Sequence, residues 1–382
     1  MRLIFWEWKK LFSLPALWGF LALGFLLNLG FIFGQTENQR SVFNGISACT
    51  AQLGQRVDAD FMERLENLPA DQNRELVWTT AEGMEDIFET YDTDELKEFY
   101  QSVMKSSPLV ASWAGWKYDL LSKRVELLAQ KDAAMDLYGG PVTQEVHQFL
   151  FGILIRSILA QAAVATMLGT LYLMRYERIH RTAGTLYATH TGRKLLRIKV
   201  EAALLAVPVL FSLAALPALA VYFLRMDYRG IWQASVSSQF NYLTDLLFSR
   251  PFITWGDFTV GQYLGAVLVL GIFLTAGFAL LAALCGALCP NPYLAALVLG
   301  GLCVGGLMAV SWLGEMHLWV AYDLALFQLP VVWLCSNAWF TELGSSAVLP
   351  WQETVTVALN LLVLGAGTAG ALKRFSRKDV AA

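Results

Sequence analysis

The sequence predicts an all-α membrane protein with six transmembrane helices, and three observations carry that prediction. Hydrophobic residues make up 56% of the 382 positions and charged residues only 15%, against about 25% charged in soluble domains. The apolar residues gather into runs of the roughly 20 residues that a helix needs to cross a hydrocarbon core of about 30 Å. Lys and Arg collect at the N-terminus (Arg2, Lys9, Lys10), in the segment 175–199, and at the C-terminus (Lys373, Arg374, Arg377, Lys378). Six crossings place all three clusters on one side, which the positive-inside rule makes the cytoplasmic one.

The N-terminal stretch "MRLIFWEWKKLFSLP" sets Ile4, Trp8, Leu11 and Phe12 on one helical face, with Glu7 and Lys10 off it. Trp and basic residues before a span read as a helix lying in the membrane interface, which Pro15 ends. The spans follow as Leu14 to Phe33, Phe149 to Met174, Ala202 to Leu224, Gln262 to Leu288, Tyr293 to Leu313 and Thr354 to Leu372. Helices are the required form, because the backbone must satisfy its own hydrogen bonds in lipid. Alternating segments of the β-barrel kind are absent from the sequence. A seventh apolar stretch, Leu318 to Cys335, is interrupted by Asp323, Gln328 and Pro330. Counting it as a span would move the C-terminal cations outside, so it reads as a re-entrant or interfacial helix pair before span six. Residues 315–353 carry four acids and no Lys or Arg, in keeping with an outer location.

Three regions result: 1–34, an interfacial helix and the first span; 35–147, an extracytoplasmic helical domain; and 148–382, spans two to six. The domain is acidic, with 20 acidic and 10 basic residues from Glu37 to Glu145. Helical spacing recurs in "DFMERLENL", "MEDIFETYDTDELKEFYQSVM" and "WKYDLLSKRVELLAQ", where Tyr118, Leu121, Val125 and Leu128 form one stripe. Asp92 or Asp94 is an expected N-cap, and "LYGGP" an expected stop for the last helix. The acidic surplus reads as a solvated surface.

Cys49, Cys285, Cys289, Cys303 and Cys335 show no CxxC spacing, so they read as packing residues rather than a zinc or disulfide framework. His147, His180, His190 and His317 do not pair at ligand spacing, and no H-E-x-x-H occurs. No metal site, catalytic group or intramembrane protease is expected, and nothing points to nucleic acid. The sequence holds no G-x-x-x-x-G-K-[ST] phosphate loop, so the chain is not itself an ATPase of that kind.

Four polar residues interrupt the spans. Arg156 stands well inside span two, at a cost of about 3 kcal/mol on insertion scales. An acid at Glu315, Asp323 or Glu353 is its expected partner, and its expected roles are an outer gate or substrate contact, or a static ion pair. Gln161 and Glu315 join Arg156 as candidate path residues, while Asn28, Gln161 and Asn360 also read as interhelical glue. Gly301 and Gly305 form a GxxxG in span five, a candidate for close packing at a dimer interface or with span two.

The densest basic segment, "RYERIHRTAGTLYATHTGRKLLRIK", has five Arg, two Lys and two His against Glu177 alone. Orientation explains its sign but not its length, its two glycines or its "TLY". This stretch resembles the cytoplasmic loop of ABC-2 type permeases, the membrane subunits of bacterial ABC transporters. Glu177, Gly184-Thr185-Leu186, Arg193 and Lys199 carry the likeness, together with Glu7 and Lys9-Lys10 in the N-terminal helix and the six-span layout. The proline usual before that arginine is replaced here by Thr-His-Thr-Gly.

The resemblance implies a coupling helix seated in a groove of a separate ATPase subunit, which would hold ATP and Mg; this chain would carry no cofactor. Gly184 would allow close approach, Thr185, Leu186 and Tyr187 would meet the partner, and Glu177, Arg193 and Lys199 would form rim ion pairs. It further implies a second permease chain, as homodimer or heterodimer, in a bacterial plasma membrane with both termini cytoplasmic. The expected activity is export of an amphipathic substrate (peptide, drug or lipid). The alternative is a sensor or resistance module that binds a ligand through the outer domain.

Overall fold

The computed structural model of the protein describes residues 2–140, 142–187, 190–244, 249–289, 291–328, 330–334, 338–343 and 347–377. Cys335 and Lys378 lie outside these residues. The side chains of Tyr187 and Arg193 are likewise outside the described set, although both residues belong to helices.

The chain opens with α1 (Arg2–Phe12) and α2 (Pro15–Thr36). Seven short to medium helices follow: α3 (Arg40–Leu53), α4 (Ala59–Glu66), α5 (Gln72–Ala81), α6 (Ile87–Thr90), α7 (Asp94–Val103), α8 (Pro108–Ala129) and α9 (Thr143–His147). A π-helical segment, Gln148–Leu154, leads directly into α10 (Ile155–Ile179). Then come α11 (Ala183–Tyr187), α12 (His190–Arg225), a hairpin of β1 (Tyr242–Thr244) and β2 (Ser249–Pro251), α13 (Val260–Leu288), α14 (Pro292–Glu315), α15 (Trp319–Gln328), α16 (Pro330–Trp333) and α17 (Gln352–Arg377).

Six of these helical stretches are long and apolar enough to cross a membrane: Pro15–Thr36, Thr143–Ile179, Lys194–Arg225, Val260–Leu288, Pro292–Glu315 and Gln352–Phe375. They coincide with the six runs read from the sequence. The chain is an all-α, multi-pass membrane protein by this criterion, with one antiparallel hairpin pairing Leu243 with Arg250. Local chemistry sets the helix starts. Thr259 and Gln262 cap α13 reciprocally, Asn291 accepts from the Leu294 amide at 3.0 Å, and Pro15 and Pro292 occupy first turns.

Helices α10 and α13 form the centre of the bundle. Where they meet, glycines of α13 receive larger side chains: Gly271 lies against Leu159 of α10 and Phe211 of α12, and Gly286 against Met174 and Leu171 of α10. A Cβ on Gly286 would stand 2.9 Å from the Met174 Cβ, so only glycine permits this approach. By contrast, α2, α14 and α17 lie at the periphery and expose apolar rows such as Leu297, Val304 and Met308 on α14, as lipid-facing helices do.

The structure departs from the sequence reading in five places. The second span starts at Thr143 and runs 37 residues, about 55 Å of helix, so it outreaches a ~30 Å core. The hydrophobicity of "FLFGILI" marks where apolar character begins, but the helix continues through polar residues before it. On α1, Glu7 is buried with Leu11 while Leu3, Phe5 and Trp6 are exposed; Glu7 pairs with Lys10, which bridges it to Glu177 of α10. The "LYGGP" segment does not end α8, which stops at Ala129; its described residues, Leu137 to Gly140, turn ahead of α9 with positive φ at Gly139 and Gly140, and Pro141 lies outside the described residues. Neither Asp92 nor Asp94 is the N-cap of α7: that position is Thr93, which makes no side-chain cap bond, while Asp92 one residue earlier accepts from the Asp94 amide at 2.7 Å.

The largest departure is the helical unit at the end of the bundle away from α11. Its helices α3–α9 do not stand alone. One core joins Tyr118, Leu121, Val125 and Leu128 of α8 to Ile253, Trp319 and Val348. Thus the described residues within 226–259 and 316–351 complete the unit that the sequence assigned to 35–147 alone. The predicted α8 stripe is fully buried there. The apolar stretch 318–335 forms two short helices, α15 and α16, rather than a span.

Candidate functional site

Two polar sites stand at opposite ends of the bundle. At the end bearing α11, three helices meet on a knot of four charged side chains. Lys10 Nζ on α1 lies 2.5 Å from Glu7 Oε1 and 3.2 Å from Glu177 Oε1 on α10. Lys199 Nζ on α12 donates to Glu177 Oε2 and to the Leu173 carbonyl. Glu7, Glu177 and Lys199 are 2%, 3% and 0% exposed, so the pairing is largely desolvated and its charges balance. Burial pulls the Lys10 ammonium down, but Glu7 and Glu177 together lift it above the ordinary lysine value. Lys10 also lies 4.7 Å from the centre of the Tyr176 ring, and Trp8 Nε1 donates to the Ala202 carbonyl at 2.9 Å. These contacts fix α1 across the feet of α10 and α12.

The short helix α11 hangs from this base. Thr182 N donates to the Glu177 carbonyl at 2.8 Å, and Arg181 takes a positive φ of 57° to turn the chain. Gly184 and Thr185 are exposed, and nothing lies within 4 Å of where a Gly184 Cβ would be. Arg178, Arg181, Lys194 and Arg197 are exposed around it.

Several residues sit differently from their expected places. Glu177 and Lys199, expected on an exposed rim, face inward and bind each other; a carboxylate and an ammonium one helix apart neutralise each other better in the interior than they would apart. Leu186, expected to fill a partner's pocket, packs on the chain's own Met174, Leu196 and Val200 cluster, because so short a helix needs an apolar anchor. Neither shift was visible in the sequence, which gives spacing along one helix but not which neighbour it meets.

At the other end, Arg156 is half-buried and lines a cavity of about 480 Å³ with Gln35, Gln39, Glu145, Gln148 and Ile153. None of its expected partners reaches it: among the described residues no ion pair joins it to Glu315, Asp323 or Glu353. Glu315 is exposed at the end of α14. Gln161 lines no open path. It exchanges hydrogen bonds of 3.1 Å in both directions with Asn28, and Ser157 donates to Asn28 at 2.7 Å. Gln161 is therefore a clamp between α2 and α10, the glue role that the sequence also allowed. Gly301 and Gly305 have open space where a Cβ would stand, so among the described residues they pack on no other helix, span two included.

A third cluster had no signal in the sequence. Lys117, Arg250 and Glu342 come from α8, β2 and the segment before α17, and all are nearly fully buried. Lys117 Nζ lies 3.4 Å from Glu342 Oε2 and donates to the Ala347 carbonyl at 2.8 Å. Arg250 is 2.8 Å from Glu342 Oε1 and donates to the Tyr100 hydroxyl at 3.1 Å. Tyr118 donates to Glu342 at 3.2 Å while its ring stacks on Tyr100. The cluster rivets the three chain segments of the composite unit.

The fold and these sites define a class: an all-α, multi-pass membrane protein with a composite helical head and a basic foot. Comparison with known proteins adds no narrower identity, since no family model, no curated protein and no solved structure matches the chain.

Proposed function

We propose that this chain is the membrane subunit of an ABC-2 type exporter, powered by a separate ATPase that binds ATP and Mg. The observation that carries the reading is the foot. A short helix, α11, presents Gly184 and Thr185 to solvent, ringed by exposed cations, on a base held rigid by the Glu7–Lys10–Glu177–Lys199 knot. A motor that pushes on a membrane protein needs such a stiff projection, since force applied to a loose loop is lost in the loop. The burial of Glu177 and Lys199 sharpens the expected roles. They position the projection, and Gly184, Thr185 and the outer cations meet the ATPase.

In this reading both termini and the foot are cytoplasmic, α1 lies in the inner interface, and the composite head is extracytoplasmic with α15 and α16 as an outer re-entrant pair. The membrane is a bacterial plasma membrane. The open glycine face of α14 suits a second permease chain, where small residues let helices approach closely. The cargo is amphipathic.

The test is association. Tagged chain is purified in mild detergent from membranes of its native cell, and any P-loop ATPase that accompanies it is identified and its hydrolysis rate measured. Gly184→Trp, which fills the open space beside α11, is expected to insert normally yet retain less than about a tenth of the ATPase. Equal recovery of ATPase with wild type and Gly184→Trp would sink the coupling assignment.

A further inference from the structure

Among the described residues Arg156 has no counter-ion. It forms no hydrogen bond or ion pair among the described residues, although a charge placed inside a span is costly. Its surroundings are built in an unusual way. The seven residues Gln148–Leu154 just before it are π-helical; such wide turns are rare and concentrate at functional sites. The widened turn borders the ~480 Å³ cavity that Arg156 lines, a volume within the range of about 300–1,000 Å³ common to small-molecule sites.

The cavity is graded. Its upper wall is polar, with Gln35, Gln39 and Gln148, and Gln39 donates to Glu145 at 2.8 Å. Phe149 and Phe151 supply apolar wall. Ile153 both lines the cavity and is an exposed apolar side chain of the bundle. The space therefore meets polar and apolar side chains together, with the Arg156 guanidinium in its wall and the one carboxylate of its lining, Glu145, already bound by Gln39. A guanidinium matches a phosphate through two parallel donors better than it matches any neutral group.

From this geometry we infer that the cavity at the head of α10 binds a phosphate-bearing amphiphile, its phosphate on Arg156, its polar end towards Gln39 and Gln148, and its tail leaving past Ile153. That this ligand is also the exported cargo rests on the function proposed above; the binding itself needs no ATPase. If no ATPase associates with the chain, the transport reading fails while this site stands.

The experiment uses the purified full chain in maltoside micelles and three probes: dioctanoyl phosphatidylglycerol, dioctanoylglycerol, and inorganic phosphate. Binding is read from ligand-dependent melting shifts. The phospholipid is expected to bind the wild type, with Arg156→Gln weakening it about tenfold or more and Arg156→Lys recovering part of the loss. Dioctanoylglycerol lacks the phosphate and inorganic phosphate lacks the tail; each alone is expected to bind at least about tenfold more weakly. Ile153→Trp plugs the apolar side of the cavity without touching the charge and is expected to lose phospholipid binding too, which decides the matter if Arg156→Gln does not fold. Undiminished phospholipid binding by either variant overturns the site. Equal binding of dioctanoylglycerol overturns the phosphate contact, and equal binding of inorganic phosphate overturns the amphiphile and leaves an ion site.

Discussion

Removing Glu177 alone and removing it together with Lys199 have opposite expected costs. Glu177→Leu leaves the Lys199 ammonium at 0% exposure, with only the Leu173 carbonyl of its present partners. Breaking a buried pair by taking away one partner costs about 3–5 kcal/mol, because a charge is left without compensation. Lys199→Met is expected to cost less than this upper range, since Lys10 at 3.2 Å still faces Glu177. In the double variant both buried charges are gone, and Glu7 and Lys10 remain paired at 2.5 Å. Two well-packed apolar side chains of similar volume are often neutral in such a place. The double variant is therefore expected within about 1–2 kcal/mol of wild type, giving a coupling energy of at least about 2 kcal/mol. Denaturant-induced unfolding of the four proteins in micelles, followed by tryptophan fluorescence, measures the cycle. Additive losses, with the double variant the least stable of the four, would refute the claim that these residues form one desolvated unit.

The rivet in the head makes stability depend on pH. Burial pulls the Lys117 ammonium down to about 8 from 10.5; Glu342 opposes the fall and Arg250 adds to it. Between those values the unfolded chain holds the proton that the folded chain has released, so stability rises with pH from about 8 to 10.5 and is lost on the way down, by about 3 kcal/mol in all. Comparing unfolding midpoints at pH 7.5 and pH 10 should show the rise in wild type and a smaller one in Lys117→Met. Asp323, pushed up to about 7 by burial, has the opposite sign: its contribution is present below the usual carboxylate range and is lost as pH rises through 7, so Asp323→Asn should flatten the neutral part of the profile. At the clamp between α2 and α10, a Gly24→Ala Cβ would fall 2.6 Å from Gln161 Oε1, forcing Gln161 off Asn28. The cost should be about 1–3 kcal/mol, and the smaller Gln161→Ala placed with it should recover part of the loss of thermal stability.

The spans were legible because composition alone limits what can cross lipid, and no tertiary contact was needed to find them. Orientation-independent helix signals in the head were equally plain, as the buried stripe Tyr118, Leu121, Val125 and Leu128 shows. What could not be read was who meets whom. Glu7 reads as an off-face residue on α1 because a hydrophobic stripe cannot announce that Lys10 will bridge it to Glu177, 170 positions later. Gln161 and Arg156 look alike as polar interruptions of one helix, yet one is closed by Asn28 and the other opens into a cavity. The π-helical turn has no composition of its own and depends on the surrounding packing. Residues 226–259 carry Gly, Ser and Asn enough to pass for a simple connection, and the burial of Ile253 against α8 and of Arg250 against Glu342 reveals them as part of the head.

The woven head also has a temporal meaning. Lys117 is separated by 225 residues from Glu342, the carboxylate that neutralises it. At synthesis rates of about 5–20 residues per second, that carboxylate leaves the ribosome about 10–45 s after the lysine. During that interval α8 exists beside the membrane with an unpaired cation and a bare apolar stripe, and Ile253, Trp319 and Val348 have yet to cover it. The head is thus among the last parts of the molecule to become stable, although its helices are among the first to be made. A chain cut short after α14 would hold five of its six spans and still present a half-built head to whatever quality control patrols that side of the membrane.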